Sequence, residues 1–463
     1  MSNVDLARIQ FAMTSIYHFL FVPVTIGLAF LTAILQTVWH RRGNDEYRRL
    51  TRFFGTLLVI NIAVGVVTGL VQEFQFGMNW SAYSRLVGDV FGAPLAMEGL
   101  AAFFLEATFL GVWIFGWDRL PRRIHLAAIW AVAVGASLSA AFILAANSWM
   151  QHPVGYTNNA TTGRPQLNDI WAVMTNPVFL WGYTHVLLAA LATACVVMLA
   201  VSAWQLRRGR HRQVFARSAK LSLVVLAPTM ILAMFVGSEL GVVEARYQPM
   251  KIAAAEAQWE TCQPCSFSVF QIGGGNNDQT PTKIIALPHL LSLLATNHWN
   301  GQVVGLNEVN AQYQQQYGPG NYVPNVFIQY WSMRLMAYTA VLILLLSLWG
   351  LWQMRRGKLE TSRRFLWLAT WAVFLPIIMN TAGWMLTESG RQPWLVQGIM
   401  KTADGVSPSV GTSAIVVSLI VFFLLYLVLA IVDVVLMMRY ARRELPPAPT
   451  EEAAEPPIPA AIQ

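Results

Sequence analysis

The sequence predicts an all-α protein that crosses a membrane nine times. Residues of the AVILMFWYC set make up 56% of the chain and charged residues only 12%, whereas a soluble domain carries about 25% charged residues. Apolar runs of about 20 residues, each long enough to cross about 30 Å of hydrocarbon, recur along the whole chain. A soluble fold could not bury this much apolar surface, and a disordered chain would need the opposite composition.

The predicted spans follow one another through short connections, with one exception. We place them at residues 11–39, 53–76, 91–117, 124–148, 177–204, 218–242, 328–353, 365–388 and 411–438. The chain therefore divides into spans 1 to 6 (1–242), a long outside loop (243–327), spans 7 to 9 (328–440) and a tail (441–463) whose composition predicts disorder. Within the loop, 248–259 predicts a short helix, while IGGGNNDQTP and QYQQQYGPG indicate flexible segments.

Basic residues mark one side of the membrane. The connections after spans 1, 3, 5, 7 and 9 hold five, three, six, five and three Lys or Arg residues, which is 22 of the 31 in the chain. The positive-inside rule then puts the N-terminus outside and the C-terminus inside. The net charge of +8 is explained by topology, and we expect no nucleic-acid partner.

Four side chains in the outer half of the predicted bundle could bind haem iron. At 1.5 Å per residue, His18, His185 and Met336 lie about 10 to 12 Å below the outer edge, and Glu388 closes the eighth span there. A histidine in a membrane faces the bundle interior, either as a ligand or in a structural hydrogen bond. His with Met is typical of a low-spin haem, whereas a single axial His or carboxylate leaves a face open for a gas ligand.

Other charged groups in the spans allow two interpretations. Glu98 and Glu106 of the third span, with Thr108 nearby, are either a proton relay or hydrogen-bonded structural groups. Eight residues in a regular helix separate them by about 80° and 12 Å. Arg334 is interpreted as the counter-charge of an acidic group or of a cofactor propionate.

The outside loop contains two of the three cysteines. Cys262 and Cys265 form the sequence CQPC. Two cysteines cannot complete a four-sulfur zinc site, and a thioredoxin-like pair would need a βαβ context that is absent. An outside disulfide is therefore expected.

Several strings resemble subunit I of the cytochrome bd-type quinol oxidases, in order along nearly the whole chain. They are RIQFAMTSIYHFLFVP (8–23), QEFQFGMNW (72–80), GDVFGAPLAMEG (88–99), FGWDRL (115–120) and ESGRQPW (388–394). The resemblance implies a low-spin haem b, a high-spin haem b and a haem d or third haem b. It matches His185 and Met336 to the low-spin ligands and His18 and Glu388 to those of the two high-spin haems. It also matches Glu98 and Glu106 to the acidic pair near the oxygen-reducing centre, Arg391, Trp384 and Trp394 to positions near the haem edges, and Lys251 and Glu256 to quinol oxidation.

The same resemblance implies an enzyme of the bacterial plasma membrane. It would oxidise quinol outside and reduce O2 to water with protons from inside, giving a proton motive force without a pump. It would work with a second membrane subunit, subunit II, and small single-span subunits. The loop resembles the short-loop branch, and Thr381 stands where some relatives have an acid. A b-type cytochrome with another electron acceptor, and a channel or transporter without haem, remain alternatives.

Overall fold

Nine helices in the described part of the chain are long and apolar enough to cross a membrane. The structure is a computed structural model that describes residues 2–446, so the predicted disorder beyond residue 446 lies outside it. The helices, here called spans 1 to 9, are Asn3–Arg42, Asp45–Met78, Ser81–Phe115, Arg122–Gln151, Pro177–Arg207, Arg212–Tyr247, Val326–Arg355, Arg363–Gly390 and Thr412–Ala441. The all-α membrane fold is therefore confirmed, while the orientation of the termini stays a prediction.

Most spans run several residues beyond the predicted ends. Hydropathy marks only the part of a helix that lies in hydrocarbon, whereas the backbone hydrogen bonds continue into the interface. Two spans are irregular. Span 8 consists of Arg363–Trp371 and Phe374–Gly390, and span 3 contains a π-helical segment, Glu98–Phe103.

The spans pack as two groups, which are joined mainly through span 1 and also where span 4 contacts span 5. Spans 1 to 4 contact one another, as do spans 5 to 8, and span 1 also packs along span 5. Span 9 packs against spans 1 and 2, and its large side chains are mostly exposed. An apolar surface of this kind is typical of a helix that faces lipid or a partner subunit.

The loop between spans 6 and 7 is folded. It contains helices Pro249–Ala255, Leu290–Thr296 and Leu306–Tyr317 and an antiparallel pair of strands, Phe267–Ile272 and Thr282–Leu287. We call residues 267–287 the loop hairpin. The short helix predicted in 248–259 is confirmed, but the prediction of flexibility is wrong for QYQQQYGPG. IGGGNNDQTP forms the turn of the hairpin, and most of QYQQQYGPG lies in the helix Leu306–Tyr317, whose Leu306, Val309 and Tyr313 are buried at helical spacing.

Small paired strands complete the fold on the loop side. Tyr156–Asn158 pairs with Pro165–Leu167 between spans 4 and 5, followed by the helix Ile170–Met174. Trp394–Val396 pairs with Met400–Lys401 after span 8, and a 3-10 turn, Thr402–Asp404, follows. These pairs hold the loops over the ends of the spans.

Candidate functional site

The two histidines expected to bind iron each use one ring nitrogen in a hydrogen bond. His18 Nδ1 lies 2.9 Å from Thr68 Oγ1 on span 2, and His185 Nδ1 lies 3.1 Å from the carbonyl oxygen of Ala233 on span 6. A bond from Nδ1–H fixes the tautomer whose Nε2 carries the lone pair that a metal binds. Both residues therefore have the hydrogen-bonding pattern of metal-binding histidines.

His125 shows the opposite pattern. Its Nδ1 lies 2.8 Å from Gln36 Nε2, and its Nε2 lies 2.8 Å from the carbonyl oxygen of Trp113. No ring nitrogen remains for a metal, so His125 has a structural role. Buried histidines in this chain thus fall into two classes.

Glycines on neighbouring helices make room for two of the expected ligands. A Cβ atom placed on Gly237 of span 6 would lie 2.9 Å from Cε1 of His185, and one on Gly383 of span 8 would lie 3.1 Å from Sδ of Met336. The first distance is shorter than the contacts that Cβ atoms make in proteins, and the second is shorter than most of them. The helix pairs 5–6 and 7–8 are therefore close-packed at the level of these side chains.

Glu388 is held from two sides. Asn147 Nδ2 donates to its Oε1 at 2.7 Å, and Arg391 Nη2 donates to its Oε2 at 2.6 Å. Each carboxylate oxygen keeps a second lone pair that could bind iron. Arg391 is buried, and its Nε and Nη1 have no partner among residues 2–446, which suits an anionic group such as a haem propionate. The residues present thus fit the cofactor that the resemblance implies.

Arg334 pairs with an acidic residue of the loop, which is the first of its two expected partners. Its Nη2 and Nη1 donate to Glu256 Oε2 and Oε1 at 2.6 and 3.2 Å, and both side chains are buried. Burial raises the pKa of Glu256 above its usual range, although the Arg334 charge beside it acts to lower that pKa. Arg334 and Met336 both belong to span 7, so the pair attaches a loop carboxylate to the span that carries that methionine.

Lys251 lies in a second buried pair, with a residue that sequence reasoning missed. Its Nζ donates to Glu244 Oε1 at 2.8 Å and to Gln151 Oε1 at 2.5 Å. Glu244 lies at the end of span 6, seven positions before Lys251, and Gln151 ends span 4. The only sequence signal was the spacing of two helical turns between Glu244 and Lys251, and Pro249 obscured it.

A small cavity separates the loop residues from the segment after span 8. Lys251 and Arg391 line it together with Gln248 and Trp394. Trp394 is stacked on Tyr322 with ring centroids 5.6 Å apart. The fold thus brings Lys251 and Arg391, 140 positions apart in the sequence, to one site.

Trp384 lies elsewhere, against span 1. Its ring stacks on Phe19, with the centroids 5.3 Å apart. Phe19 follows His18 directly in the sequence. The contact therefore links span 8 to the segment that carries His18.

The angle around the helix axis between the two glutamates of span 3 is smaller than it would be in a regular α-helix. The π-helical segment Glu98–Phe103 acts as one inserted residue, so eight positions turn the helix about as far as seven would. The two side chains are then about 20° apart around the axis instead of the predicted 80°. Span 4 contacts both residues. Ser139 Oγ donates to Glu98 Oε1 at 2.7 Å, and Gly135 lies against the backbone of Glu106.

Cys262 and Cys265 are bonded to each other in this structure, and Cys195 is buried in span 5. Cys262 also pairs with Val303 through two backbone hydrogen bonds. The bond therefore lies where the start of the loop meets the strand-like segment near residue 303.

We expect one reactive thiol in the unfolded, unreduced protein and three after reduction, since the chain has three cysteines. Alkylation in denaturant followed by mass spectrometry measures this number. Modification of three thiols without reductant would show that Cys262 and Cys265 are not bonded in the isolated protein.

Comparison with known proteins places the chain among membrane oxidase subunits. The model of the family "Cytochrome bd terminal oxidase subunit I" matches residues 6–445. The chain is 44% identical to "Cytochrome bd ubiquinol oxidase subunit 1" of Bacillus subtilis (strain 168), over 96% of this chain and 94% of that protein. It is 38% identical to "Cytochrome bd-II ubiquinol oxidase subunit 1" of Escherichia coli (strain K12), over 95% and 96% of the two chains.

A solved structure agrees in fold. The bd oxidase from Geobacillus thermodenitrificans superposes with a TM-score of 0.87 at 31% identity, covering 95% of this chain and 98% of that chain. The likeness therefore extends over nearly the whole of both chains.

Proposed function

The chain belongs to the cytochrome bd terminal oxidase subunit I family, and we propose that it oxidises quinol on the loop side of the membrane and reduces O2 to water. Members of this family are haem-containing respiratory quinol oxidases, so the protein is an oxidoreductase and a multi-pass protein of the bacterial cell membrane. In this proposal the loop side is the outside, and the protons for water come from the inside. Charge would then separate across the membrane without a proton pump.

The pairing of Glu256 with Arg334 is the observation that carries the proposed quinol site. Glu256 belongs to the loop, and Arg334 is two positions from Met336, the proposed axial ligand. A donor that binds at Glu256 would therefore lie against span 7, the helix that carries the proposed ligand of the first electron acceptor. Because burial raises the pKa of Glu256, this carboxylate is a stronger proton acceptor than an exposed glutamate.

Lys251 is proposed to orient the quinol oxygen. Glu244 and Gln151 hold its ammonium group in one position, so the lysine needs little reorganisation when a partial negative charge develops on that oxygen. The cavity between Lys251 and Arg391 lies on the same side of the molecule. Quinol would thus meet one fixed positive charge and one carboxylate.

Four side chains are proposed to hold the haems. His185 and Met336 would bind the low-spin haem b, and His18 and Glu388 would bind a high-spin haem b and a haem d or third haem b, without an assignment of which binds which. Arg391, Trp384 and Trp394 would contact haem edges. When bound, the haems supply electron transfer and oxygen reduction.

Glu98 and Glu106 are proposed to carry protons from the inside. The π-helical segment turns both residues toward nearly the same side of span 3, and Ser139 of span 4 already bonds Glu98. Neutral carboxyl groups can donate and accept in turn, and buried carboxyls in spans usually face such routes.

A second membrane subunit is implied by the names of the relatives, which are called subunit 1 of the oxidase. We propose that it covers the exposed apolar side of span 3, where Leu100, Phe104 and Phe109 are among the exposed side chains. Small single-span subunits would be additional partners.

Absorption spectra of purified membranes test the proposed function against its alternatives. Quinol should reduce low-spin and high-spin haem bands, and carbon monoxide should shift a high-spin band. A b-type cytochrome with another acceptor would show no carbon monoxide adduct. A channel or transporter would show no haem.

We expect Glu244→Gln and Lys251→Met each to lower kcat/KM for quinol by about 100-fold while leaving the haem spectra intact. Removing one preorganised donor that stabilises developing charge costs about 10² to 10³ in rate. Either single change also leaves one buried charge unpaired, at a cost of about 3 to 5 kcal/mol. Steady-state quinol oxidation with spectra of the same samples measures both effects.

The double variant Glu244→Gln/Lys251→Met separates the two roles. It removes both charges, so a purely structural pair would recover expression and activity together. If the double variant is stable but oxidises quinol as slowly as the single variants, the pair acts in the reaction. Glu260→Gln, at an exposed loop carboxylate, is the matched control and should keep the normal rate.

A further inference from the structure

The loop hairpin has an apolar surface that nothing in the described chain covers. Phe270, Ile272, Ile284, Ile285 and Leu287 are 39% to 63% exposed. We call these five residues the hairpin patch. Most of them lie on Thr282–Leu287, which is an edge strand. In water an exposed apolar edge strand promotes aggregation, so an apolar environment is expected over it.

The loop hairpin lies along span 7, with its turn near the start of the span and its base farther along the helix. At its turn, Asn276 bonds the carbonyl oxygen of Pro324 at 2.8 Å and the backbone N–H of Val326 at 2.9 Å. At its base, the Val269 carbonyl oxygen accepts a hydrogen bond from the Tyr338 hydroxyl. Val326 and Tyr338 are twelve residues apart, or about 18 Å along the helix. The hairpin therefore reaches well down the side of span 7.

The basic end of span 7 allows the depth of the hairpin relative to the membrane surface to be estimated. Arg355 and Arg356 end the span at the basic side. Twenty residues, the length that crosses about 30 Å of hydrocarbon, place the opposite boundary near Leu335. Ser268, which accepts a hydrogen bond from Arg334 Nη2 at 2.7 Å, is then at the level of that boundary. The base of the hairpin thus lies at the membrane surface, and the turn lies farther out.

Polarity along the hairpin follows the same gradient. The turn carries Asn276, Asn277 and Asp278, whereas the patch residues lie below it toward the base, with only Ile272 next to the turn. The polar part is therefore the part that projects away from the membrane. Such an arrangement is typical of a segment that rests in a bilayer interface.

The hairpin patch is also continuous with the lipid-facing side of span 7. Phe270 contacts Trp331, with ring centroids 5.7 Å apart, and Trp331 lies next to Phe327 on the same helix face. Leu335 and Leu342 continue that face and are exposed. Tryptophan is enriched at the level of lipid headgroups. One apolar surface thus extends from the span onto the hairpin.

We propose that the loop hairpin rests on the lipid bilayer, with the hairpin patch in the interfacial layer. The free backbone groups of Thr282–Leu287 need hydrogen bonds, which the wet interface supplies and the hydrocarbon core does not. The partner of this surface is therefore lipid at headgroup depth. The inference goes beyond the proposed function, and its test requires no turnover.

Single cysteine variants carrying a fluorescent label can measure the environment of the hairpin. Ile285→Cys reports the patch and Asn277→Cys, at the exposed turn, is the matched control. The native cysteines do not interfere, because Cys195 is buried and the other two are bonded. The labelled oxidase, with its partner subunit, is placed in lipid nanodiscs. Fluorescence is then quenched either with nitroxide-bearing lipids or with aqueous iodide.

We expect the label at position 285 to be quenched at least about three-fold more by interfacial nitroxide lipid than the label at position 277, and the order to reverse with iodide. Equal iodide quenching at both positions would overturn the proposal, since the patch would face water. Weak quenching by both reagents at position 285 would also overturn it, since protein would cover the patch. Ile284→Cys provides a second label site on the same strand.

Discussion

His185→Ala is expected to abolish the low-spin haem band and to lower quinol-driven oxygen consumption by more than about 100-fold. Loss of a group that merely orients a metal ligand costs about 10 to 100-fold in metal affinity, so loss of the ligand itself should cost at least as much. Met336→Ala should have the same effect because it would supply the other axial bond. Absorption spectra of the reduced protein and oxygen-electrode rates measure the two quantities.

His125→Gln is the matched control for this prediction. His125 is also a buried histidine, but both of its ring nitrogens are bonded within the protein. Glutamine keeps hydrogen-bonding capacity at that position, so the haem bands should remain. A low-spin band that persisted in both His185→Ala and Met336→Ala would refute the ligand assignment.

Glu106→Gln is expected to slow oxygen reduction by about 100-fold with intact haem spectra. Glutamine preserves the size of the side chain but cannot release a proton, and proton transfer by a positioned group contributes about 10² to 10⁴ in rate. The membrane potential generated per electron should also decrease, which a potential-sensitive dye in proteoliposomes would measure. The prediction extends to Glu98, because the π-helical segment brings the two glutamates to nearly the same side of span 3.

Glu239→Gln provides the comparison for Glu106→Gln. Glu239 lies in span 6 near the loop and bonds Asn297, so the same chemical change there should leave oxygen reduction unaltered. A normal rate in Glu106→Gln would mean that this glutamate is structural and that protons take another route.

The sequence was sufficient for the parts of the fold that hydropathy and charge determine. The nine spans and the ordered helix near 248–259 follow from composition and periodicity alone. The helix Leu306–Tyr317 could also have been predicted, because its buried residues recur at helical spacing. Its many glutamines hid that pattern.

Other features depend on tertiary packing, and the sequence does not reveal them. The π-helical segment changes the direction of Glu106 around the helix axis by the turn of one residue. No residue type marks the position of this segment in the sequence. The pairing of Arg334 with Glu256 joins residues 78 positions apart, so sequence reasoning could name the charge but not choose its partner. Candidate side chains for the site could therefore be proposed from the sequence, but their contacts could not.

The glycines opposite His185 and Met336 limit how this chain can evolve. One methyl group at Gly237 would enter the space of the imidazole ring, and one at Gly383 would press on the thioether. Neither helix can move away alone, because spans 5 to 8 are packed together. Substitutions that are harmless on a lipid-facing surface should thus be selected against at these two positions. In a population of variants, positions 237 and 383 should stay invariant while the apolar residues around them exchange freely.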